Sequence, residues 1–271
     1  MDNIELSIII VTYNCEKYIK NCLNSIIKTG YDINYEIIVF DNDSKDKTTT
    51  IIETEYEKVR IIRSRSNLGF AKGNNEAVKI SRGKYILLLN HDTILLNNIS
   101  KALNIIKNDD EIGALGIKML NKDQVYERSV GKFPKPYQLI KFSLSQMESE
   151  EFVTGNFKTP EFLRKVDWIT GAFLLTRKKY WDKVKGLDEQ YFMYVEDVDF
   201  CKKLELIGKQ VVFLPSISFI HFIGFNKTRE ILLIKGYRIY ADKFFKKHNK
   251  LIAKTCLLIN YGYKRATKSF Y

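Results

Sequence analysis

The sequence predicts an α/β fold, in which a Rossmann-like, mostly parallel central sheet is flanked by helices and followed by a basic helical tail. Short, continuous apolar runs alternate with stretches of helical periodicity, which is the pattern of βαβ units. The runs are rich in β-branched residues, as is typical of parallel strands buried on both faces. With 271 residues, 45% of them hydrophobic, the chain can bury a substantial core.

The first half of the chain contains four predicted strands, and a helix follows each of the first three. The strands are Leu6–Thr12, Tyr35–Phe40, Val59–Arg63 and Tyr85–Leu89. The helices run from Tyr18 to a stop at Gly30, through Ile51–Tyr56, and over Lys72–Ser81. Because crossovers between parallel strands are right-handed, the loops after these strands should meet at one edge of the sheet, where α/β folds bind ligands.

The second half alternates less regularly, and residues 121–165 are predicted to form a loop-rich insertion. His221 is expected just after the last strand. The strands are Ile112–Met119, Val166–Thr176 and Val211–Pro215, and the helices are Tyr137–Met147, 177–184, Glu196–Gly208 and 230–247. Residues 227–271 hold only two acids, so this tail is predicted to be a basic face that also carries aromatic rings.

The charge balance indicates an anionic partner, because the chain has 44 Lys and Arg but 32 Asp and Glu, which gives a net charge of +12. The segment Met1–Glu5 lacks the basic start and apolar core of a signal peptide, and no run of 18 apolar residues occurs. We therefore expect a cytoplasmic protein, peripheral on the inner face of the cell membrane. Its four cysteines form no Cys-x-x-Cys pair, which disfavours a zinc site.

Two acidic clusters follow or border apolar runs. The first is Leu87–Thr93 and the second is Tyr194–Cys201. An apolar run that ends abruptly in Asp is typical of a buried strand that carries a carboxylate at its tip. One such carboxylate could hold a metal ion over a diphosphate, and the other could accept a proton.

Six motifs in a fixed order resemble the inverting family 2 glycosyltransferases of the GT-A fold, close to the bacterial rhamnosyltransferase-like group. The resemblance spans residues 6 to about 225. The motifs are Ser7–Asn14, Val39–Asp46, Asn67–Asn75, Leu88–Asp92, Trp168–Leu175 and Gly186–Asp199.

The resemblance implies a site for a nucleoside-diphosphate sugar. It gives Asp41 the role of accepting the ring N–H of a uracil or thymine, whereas the position of Asp41 taken alone favours a turn or helix-capping residue. A glycine-bearing loop that opens a helix suits a polar or anionic ligand, although a plain strand-to-helix turn has the same pattern. The residues implied in donor binding are Thr12, Tyr13, Asn14, Asp41, Asn42, Asn67, Gly69, Phe70, Gly73 and Asn90.

The resemblance also implies a divalent cation, Mn²⁺ or Mg²⁺, with Asp92 as an oxygen ligand. The family's usual Asn-Pro-Asp is here Asn90-His91-Asp92, and His91 is either a bystander or an extra ligand or phosphate donor. His221 is the implied second metal ligand, with a buried histidine bonded to a carbonyl as the alternative.

The resemblance makes Asp197 the general base and Glu196 its carboxylate partner. Acids at a helix start also complement the helix dipole, so their position alone decides nothing. Trp168, Thr170 and Gly171 are implied on the acceptor side, although Trp168 also fits a plain core position.

The expected reaction moves a sugar from dTDP-rhamnose or a UDP-sugar to a hydroxyl of a surface-polysaccharide or lipid-linked acceptor. Expected divisions are a donor half, 1–120, an acceptor and catalytic half, 121–225, and a basic tail, 226–271. The tail is expected to rest on anionic lipid headgroups through its lysines and the aromatic residues among them, which are Tyr237, Tyr240, Phe244, Phe245, Tyr261 and Tyr263. A nucleic-acid partner is not expected.

Three other classes of protein fit the sequence less well. Asp41 and Asp43 resemble the signature of a haloacid-dehalogenase-type phosphatase, but a whole βα unit precedes them and Lys45 departs from the pattern. A dinucleotide-binding dehydrogenase would carry a glycine-rich motif after its first strand, and this chain has no such motif there. A non-catalytic lectin-like protein would not need both Asp92 and Asp197.

Overall fold

The computed structural model describes residues 4–29, 33–145, 147–222 and 229–267. Within these ranges the strands are β1 (Leu6–Thr12), β2 (Tyr35–Asp41), β3 (Val59–Arg63), β4 (Tyr85–Leu89), β5 (Thr93–Leu95), β6 (Ile112–Leu120), β7 (Tyr126–Glu127), β8 (Val130–Gly131), β9 (Arg164–Val166), β10 (Trp168–Ile169), β11 (Phe173–Arg177) and β12 (Gln210–His221). The helices are α1 (Ile19–Lys28), α2 (Thr48–Glu55), α3 (Gly69–Lys79), α4 (Ser100–Asn108), α5 (Glu150–Thr154), α6 (Lys178–Lys183), α7 (Glu196–Leu206), α8 (Arg229–Phe244) and α9 (Lys247–Ala266), with 3₁₀ turns at Pro136–Ile140 and Phe142–Ser145.

The predicted mostly parallel central sheet is confirmed. Its order is β3-β2-β1-β4-β11-β6-β12-β5, and β1 to β4 are all parallel neighbours in it. Every residue of β1 is buried, as its unbroken apolar sequence predicts. Strand β11 enters antiparallel between β4 and β6, and β12 then runs parallel to β6. The tips of β1, β2 and β4 therefore lie along one edge, with β3 beside them.

The predicted strand Val166–Thr176 is instead three short strands, β9, β10 and β11. The residues that connect these strands make hydrogen bonds that are not part of a β-ladder. The Asp167 carboxylate accepts a hydrogen bond from the Phe133 N–H at 2.7 Å. The Thr170 N–H donates to the Ser129 carbonyl at 2.8 Å. The turn 170–172 between β10 and β11 follows from these bonds, and it separates the strands from each other.

Strand β12 is longer than predicted and includes His221. Pro215 lies inside the strand, where the pairing with β6 shifts register between Leu214 and Ser218. A proline is tolerated at such an irregularity because no ladder N–H is required of it. The strand resumes beyond the shift and pairs His221 with Thr93 of β5.

Four other predictions need correction or lie outside the described residues. The helix expected over Tyr137–Met147 is a pair of 3₁₀ turns, because Lys141 between them is extended at φ −151° and ψ 112°. Helix α3 begins at Gly69, earlier than expected, with φ +83° at this glycine. Gly30, the expected stop of α1, lies outside the described residues, as does the expected boundary between residues 225 and 226.

The tail is integrated into the fold. Tyr237 and Tyr240 are buried together with Leu139, Val195 and Val198 in a core of their own. These two tyrosines therefore do not face a lipid surface, contrary to the expectation for the tail's aromatic residues. No helix in the described part of the chain combines the length and hydropathy that a membrane crossing requires.

Candidate functional site

The loops after β1 and β2 are joined by hydrogen bonds at the edge of the sheet. The Asn14 N–H donates to the Ser44 hydroxyl at 2.9 Å, and the Lys45 N–H donates to the Asn14 side-chain oxygen at 2.7 Å. Asn14 adopts a left-handed φ of 48°, which its short amide side chain tolerates. Tyr13, next to it, is exposed, so its ring is accessible above this edge.

Asp41 is buried at the tip of β2 and accepts hydrogen bonds on both carboxylate oxygens. Its Oδ1 accepts hydrogen bonds from the Thr12 and Ser44 hydroxyls at 2.9 and 2.6 Å, and its Oδ2 accepts one from the Ser44 N–H at 2.9 Å. These bonds are those of a turn residue. Because each carboxylate oxygen can accept two bonds, Oδ2 still has room for one further donor.

Asn42 joins the β2 tip to the loop that opens α3. Its side-chain oxygen accepts the Leu68 N–H at 3.0 Å, and its amide donates to the Gly69 carbonyl at 3.2 Å. Asn67 accepts the Gly69 N–H at 2.9 Å. Gly73 faces β1 and β2, since a β-carbon there would lie 3.0 Å from the nearest atom of Val11. Asn42 and Gly73 thus set the position of the 67–70 loop and of α3.

The first acidic cluster brings together three predicted residues. The Asn90 side-chain amide lies 3.2 Å from His221 Nε2, which in turn lies 3.1 Å from Asp92 Oδ1. The contact follows from the pairing of β12 with β5, which sets His221 beside Thr93. Burial opposes ionisation of Asp92, but the polar contact with His221 and its charge hold the pKa of Asp92 below its usual value.

Two atoms of this cluster fit a divalent cation. Asp92 Oδ1 and His221 Nε2 lie 3.1 Å apart, and Asp92 Oδ1 is buried without an aligned hydrogen-bond partner among the described residues. A carboxylate oxygen and an imidazole nitrogen are ligands that Mn²⁺ accepts, and Mg²⁺ favours the carboxylate. No three His, Cys, Asp or Glu side chains in the described ranges are placed to hold one metal ion together, so bound diphosphate and water would have to complete the coordination shell.

His91 turns toward the end of β1. Its Nδ1 lies 3.0 Å from the Val11 carbonyl oxygen, and because a carbonyl only accepts, Nδ1 carries the proton. This contact gives the imidazole a role in holding β4 to β1, as expected of a bystander. The alternative of an extra ligand through Nε2 stays a hypothesis.

The second acidic cluster begins α7 and is preceded by strained backbone. Tyr194 and Val195 have φ values of 70° and 74°, and the left-handed region is costly for a β-branched residue, at roughly 1–3 kcal/mol. Gly236 of α8 supports this turn, since a β-carbon there would meet the Tyr194 carbonyl oxygen at 2.8 Å. Strain retained beside two acids is typical of a functional site.

Asp197 and Glu196 differ in their environments. Asp197 Oδ2 accepts the Gly171 N–H at 2.9 Å, and Oδ1 accepts the Val198 N–H at 2.8 Å. Burial raises the pKa of Asp197 above its ordinary value, and these N–H donors oppose the shift. Glu196 is more deeply buried, with Oε2 unpaired among the described residues. Burial, together with the charge of Asp197, raises the pKa of Glu196 well above its ordinary value.

This environment predicts how Glu196→Gln changes stability with pH. Because the folded state raises the pKa of Glu196, folding favours the protonated acid, and that stability is lost as pH rises through the folded-state pKa. Glutamine keeps the shape without the charge. We expect its melting temperature to exceed that of the wild type by an increment that grows between about pH 5 and 8. Calorimetric melting across this range measures the increment, and a constant difference would contradict the shift.

The two clusters meet at the turn 170–172. The Asn90 N–H donates to the Ala172 carbonyl at 3.1 Å, while the Gly171 N–H donates to Asp197. Burial raises the pKa of Tyr194, the charge of Arg229 opposes this shift, and the nearby charges of Glu196 and Asp92 add to it. The β4 tip and the start of α7 therefore border one site.

The predicted acceptor-side residues lie at this junction. The Trp168 indole N–H donates to the Lys132 carbonyl at 3.0 Å, so the ring packs partly against β8. Thr170 Oγ1 accepts the Ala172 N–H at 3.3 Å. Phe70 comes from the opposite loop, since a β-carbon on Gly171 would lie 3.0 Å from its ring. Phe70 thus connects the loop before α3 with the turn that holds Asp197.

Asp199 and Lys243 were not among the predicted residues. Asp199 is fully buried, accepts the Tyr191 hydroxyl proton at 3.0 Å, and pairs with the ammonium groups of Lys243 and Lys203. Lys243 also pairs with Asp188 at 2.6 Å. The network ties α7 to α8 and to the loop before α7. The third acid of the Glu196–Asp199 run was the available signal, but its partner in the tail could not be identified without the tertiary structure.

Comparison with known proteins places the chain in a family. The family description "Glycosyl transferase family 2" matches residues 7–169. Rhamnosyltransferase WbbL of Escherichia coli K12 is 29% identical over 275 residues, which cover 97% of this chain and 98% of that protein. The N-acetylglucosaminyl-diphospho-decaprenol L-rhamnosyltransferase of Mycobacterium tuberculosis is 26% identical over 244 residues, 83% of this chain and 78% of that protein.

Solved structures show the same fold. Staphylococcus aureus TarS 1–349 in complex with UDP-GlcNAc matches 97% of this chain and 74% of its own, with a TM-score of 0.63 at 20% identity. The mannosyltransferase PcManGT from Pyrobaculum calidifontis, in complex with GDP-Man and Mn²⁺, matches 97% of this chain and 75% of its own, with a TM-score of 0.62 at 14% identity. The fold is that of GT-A enzymes, and the chain belongs to glycosyl transferase family 2.

Proposed function

We propose that this glycosyltransferase moves one sugar from a nucleoside-diphosphate donor to a hydroxyl of a lipid-linked or surface-polysaccharide acceptor, with inversion at the anomeric carbon. Two relatives are named as rhamnosyltransferases, and this favours dTDP-rhamnose as the donor. UDP-sugars stay open, since the TarS complex contains UDP-GlcNAc. The name of the mycobacterial relative, with its diphospho-decaprenol, supports a lipid-linked acceptor.

The observation that carries the proposal is the shared turn 170–172. Asp197 accepts the N–H of Gly171, and the backbone of the next residue, Ala172, accepts the N–H of Asn90, two residues before Asp92. One carboxylate is thus available to the donor diphosphate and the other to the acceptor. Transfer between two bound substrates requires this division of roles within one site.

The donor half is assigned to residues 1–120. In this proposal Asp41 accepts the ring N–H of uracil or thymine through the remaining capacity of Oδ2, and Tyr13 covers the base. Thr12 and Asn14 shape the same edge, because both bond to the β2 tip. Asn42 and Gly73 position the 67–70 loop, in which Asn67, Gly69 and Phe70 would face the donor.

Asp92 and His221 would hold the divalent cation, with Asn90 beside them. When bound there, the cation would neutralise charge that develops on the leaving diphosphate. Two observations support this role: contact with His221 lowers the pKa of Asp92, and the buried Asp92 Oδ1 lies 3.1 Å from His221 Nε2.

Asp197 is proposed to accept the proton of the acceptor hydroxyl as its oxygen attacks the anomeric carbon. A base works best when its pKa lies near the working pH, and burial shifts Asp197 in that direction. Burial and the charge of Asp197 raise the pKa of Glu196 further, so Glu196 is the carboxyl of the pair that holds a proton more tightly. Trp168, Thr170 and Gly171 form the acceptor side of residues 121–225.

The test is calorimetric binding of dTDP, UDP, GDP and ADP, each with and without Mn²⁺. We expect dTDP or UDP to bind more tightly than GDP and ADP, and Mn²⁺ to strengthen this binding, because Asp41 can pair with a pyrimidine N–H. Preference for a purine diphosphate would contradict the role of Asp41. Release of phosphate from a phosphomonoester with Mg²⁺ and no acceptor would instead support the phosphatase alternative.

A further inference from the structure

Helix α9 has two apolar faces, and only one of them packs against the protein. Ala253, Leu257 and Asn260 are buried on the inner face, and the Asn260 amide donates to the Leu139 carbonyl at 3.0 Å. The outer face carries five exposed large apolar residues, with the exposed Thr255 and Gly262 among them. The five apolar residues are Leu251, Ile252, Leu258, Ile259 and Tyr263.

These five residues form one strip along the helix, with Thr255 between the two pairs of aliphatic residues. At about 100° per residue they fall within an arc of about 140°, on the side away from the buried residues. Leu251 and Leu258 are 68% and 70% exposed, which is high for leucine in a folded domain. An apolar strip of this kind marks a surface that contacts something other than water.

The charge of α9 indicates the nature of that contact. The helix carries five Lys or Arg residues and no Asp or Glu. Lys250 and Lys254 pair with Asp242, and Lys264 pairs with Glu230, so both acids of the tail are already engaged by the helix. Lys247 and Arg265 are exposed. An acid-free helix with an exposed apolar face is typical of segments that lie in the interface of an anionic membrane.

The position of α9 relative to the site is consistent with such a surface. Lys264 pairs with Glu230 near the start of α8, whereas Lys254 pairs with Asp242 near its end, so the two helices are antiparallel. Arg229, at the start of α8, lies over the Tyr194 ring at 5.9 Å. The end of α9 that carries Tyr263 is therefore the end nearer to the strained turn before α7.

We propose that the outer face of α9 lies in the boundary between headgroups and acyl chains of an anionic bilayer, with the helix axis parallel to the surface. This inference rests on the proposed function, because a lipid-linked acceptor presents its hydroxyl at that surface. Leu251, Ile252, Leu258, Ile259 and Tyr263 enter the boundary. These five residues, and not the buried Tyr237 and Tyr240, are therefore the proposed membrane contacts.

The test is flotation of the full chain with vesicles of phosphatidylcholine containing phosphatidylglycerol, at low and high salt. We expect the wild type to float at low salt and less so at high salt, because headgroup attraction is screened. The variant L251E/L258E should lose at least about tenfold in partitioning, since two charges enter the apolar strip. The control L206E/V125E adds the same charge at positions that are 65% and 59% exposed elsewhere, and it should float like the wild type.

Other outcomes overturn the inference. Absence of wild-type binding at low salt, or equal loss in the control, would do so. A wild-type dimer in light scattering that L251E/L258E dissociates, without vesicle binding, would assign the strip to a second copy of the chain. Calorimetric binding of the nucleoside diphosphate distinguishes failure of the membrane inference from failure of the proposed function. If the diphosphate binds but vesicles do not, only the membrane inference is wrong. If the diphosphate does not bind, the proposed function is wrong.

Discussion

Asp197→Asn is expected to lower the turnover number for sugar transfer by about 10²–10⁴-fold while donor affinity stays within about twofold of the wild type. Asparagine is nearly isosteric and can still accept one of the two N–H groups, from Gly171 or Val198, but it cannot take the hydroxyl proton. The measurement is steady-state transfer to acceptor, with the donor dissociation constant taken from calorimetry.

The control for this substitution is Asp182→Asn, which neutralises an exposed aspartate of α6 that is paired with Lys178. Its turnover should match that of the wild type. The wild type should also lose activity as pH falls through the raised pKa of Asp197, because the protonated carboxyl cannot act as a base. Near-normal turnover in Asp197→Asn would show that another group accepts the proton.

Asp92→Asn is expected to weaken nucleoside-diphosphate binding by at least about tenfold when Mn²⁺ is present and to change it little when Mn²⁺ is absent. The reason is that an amide oxygen is a weaker, neutral ligand, whereas the carboxylate of Asp92 is held ionised next to His221. Calorimetric titration of the diphosphate at fixed Mn²⁺ concentrations measures the difference.

His221→Gln provides a matched comparison, because it removes the imidazole and keeps a polar side chain at the end of β12. If the two residues act on the same cation, both variants should lose the Mn²⁺-dependent part of binding. Asp182→Asn should retain it. Equal affinity of Asp92→Asn and the wild type at saturating Mn²⁺ would remove Asp92 from the metal site.

The sequence was most informative where strands are buried on both faces. Strands β1 and β4 were predicted with the bounds that the structure has, and β2 differs by one residue, because continuous apolar runs admit few other conformations in a compact chain. The acids at the strand tips followed from the same runs. Strand β5 and helix α4 were missed, since their short apolar segments follow directly on the first acidic cluster without a clear turn signal.

The sequence was least informative where a residue's partner lies far along the chain. The bond from Gly171 to Asp197 spans 26 residues, and the contact of Asn90 with His221 spans 131. The last strand was predicted to end at Pro215. It continues past this residue because a register shift, which depends on the neighbouring strand, accommodates the proline. These long-range pairings cannot be predicted from the conformational preferences of the local sequence.

By itself, the sequence determined the α/β fold class, the parallel strands of the first half and the two acidic clusters, because each depends on local periodicity and residue type. Only the tertiary structure decided that these clusters border a common turn, that His221 reaches Asp92, and that α8 supports the backbone before Asp197. The physical reason is that burial and hydrogen bonding between distant segments set both the positions and the pKa values of these groups. The same packing decided which aromatic residues of the tail are buried and which apolar face of α9 remains exposed.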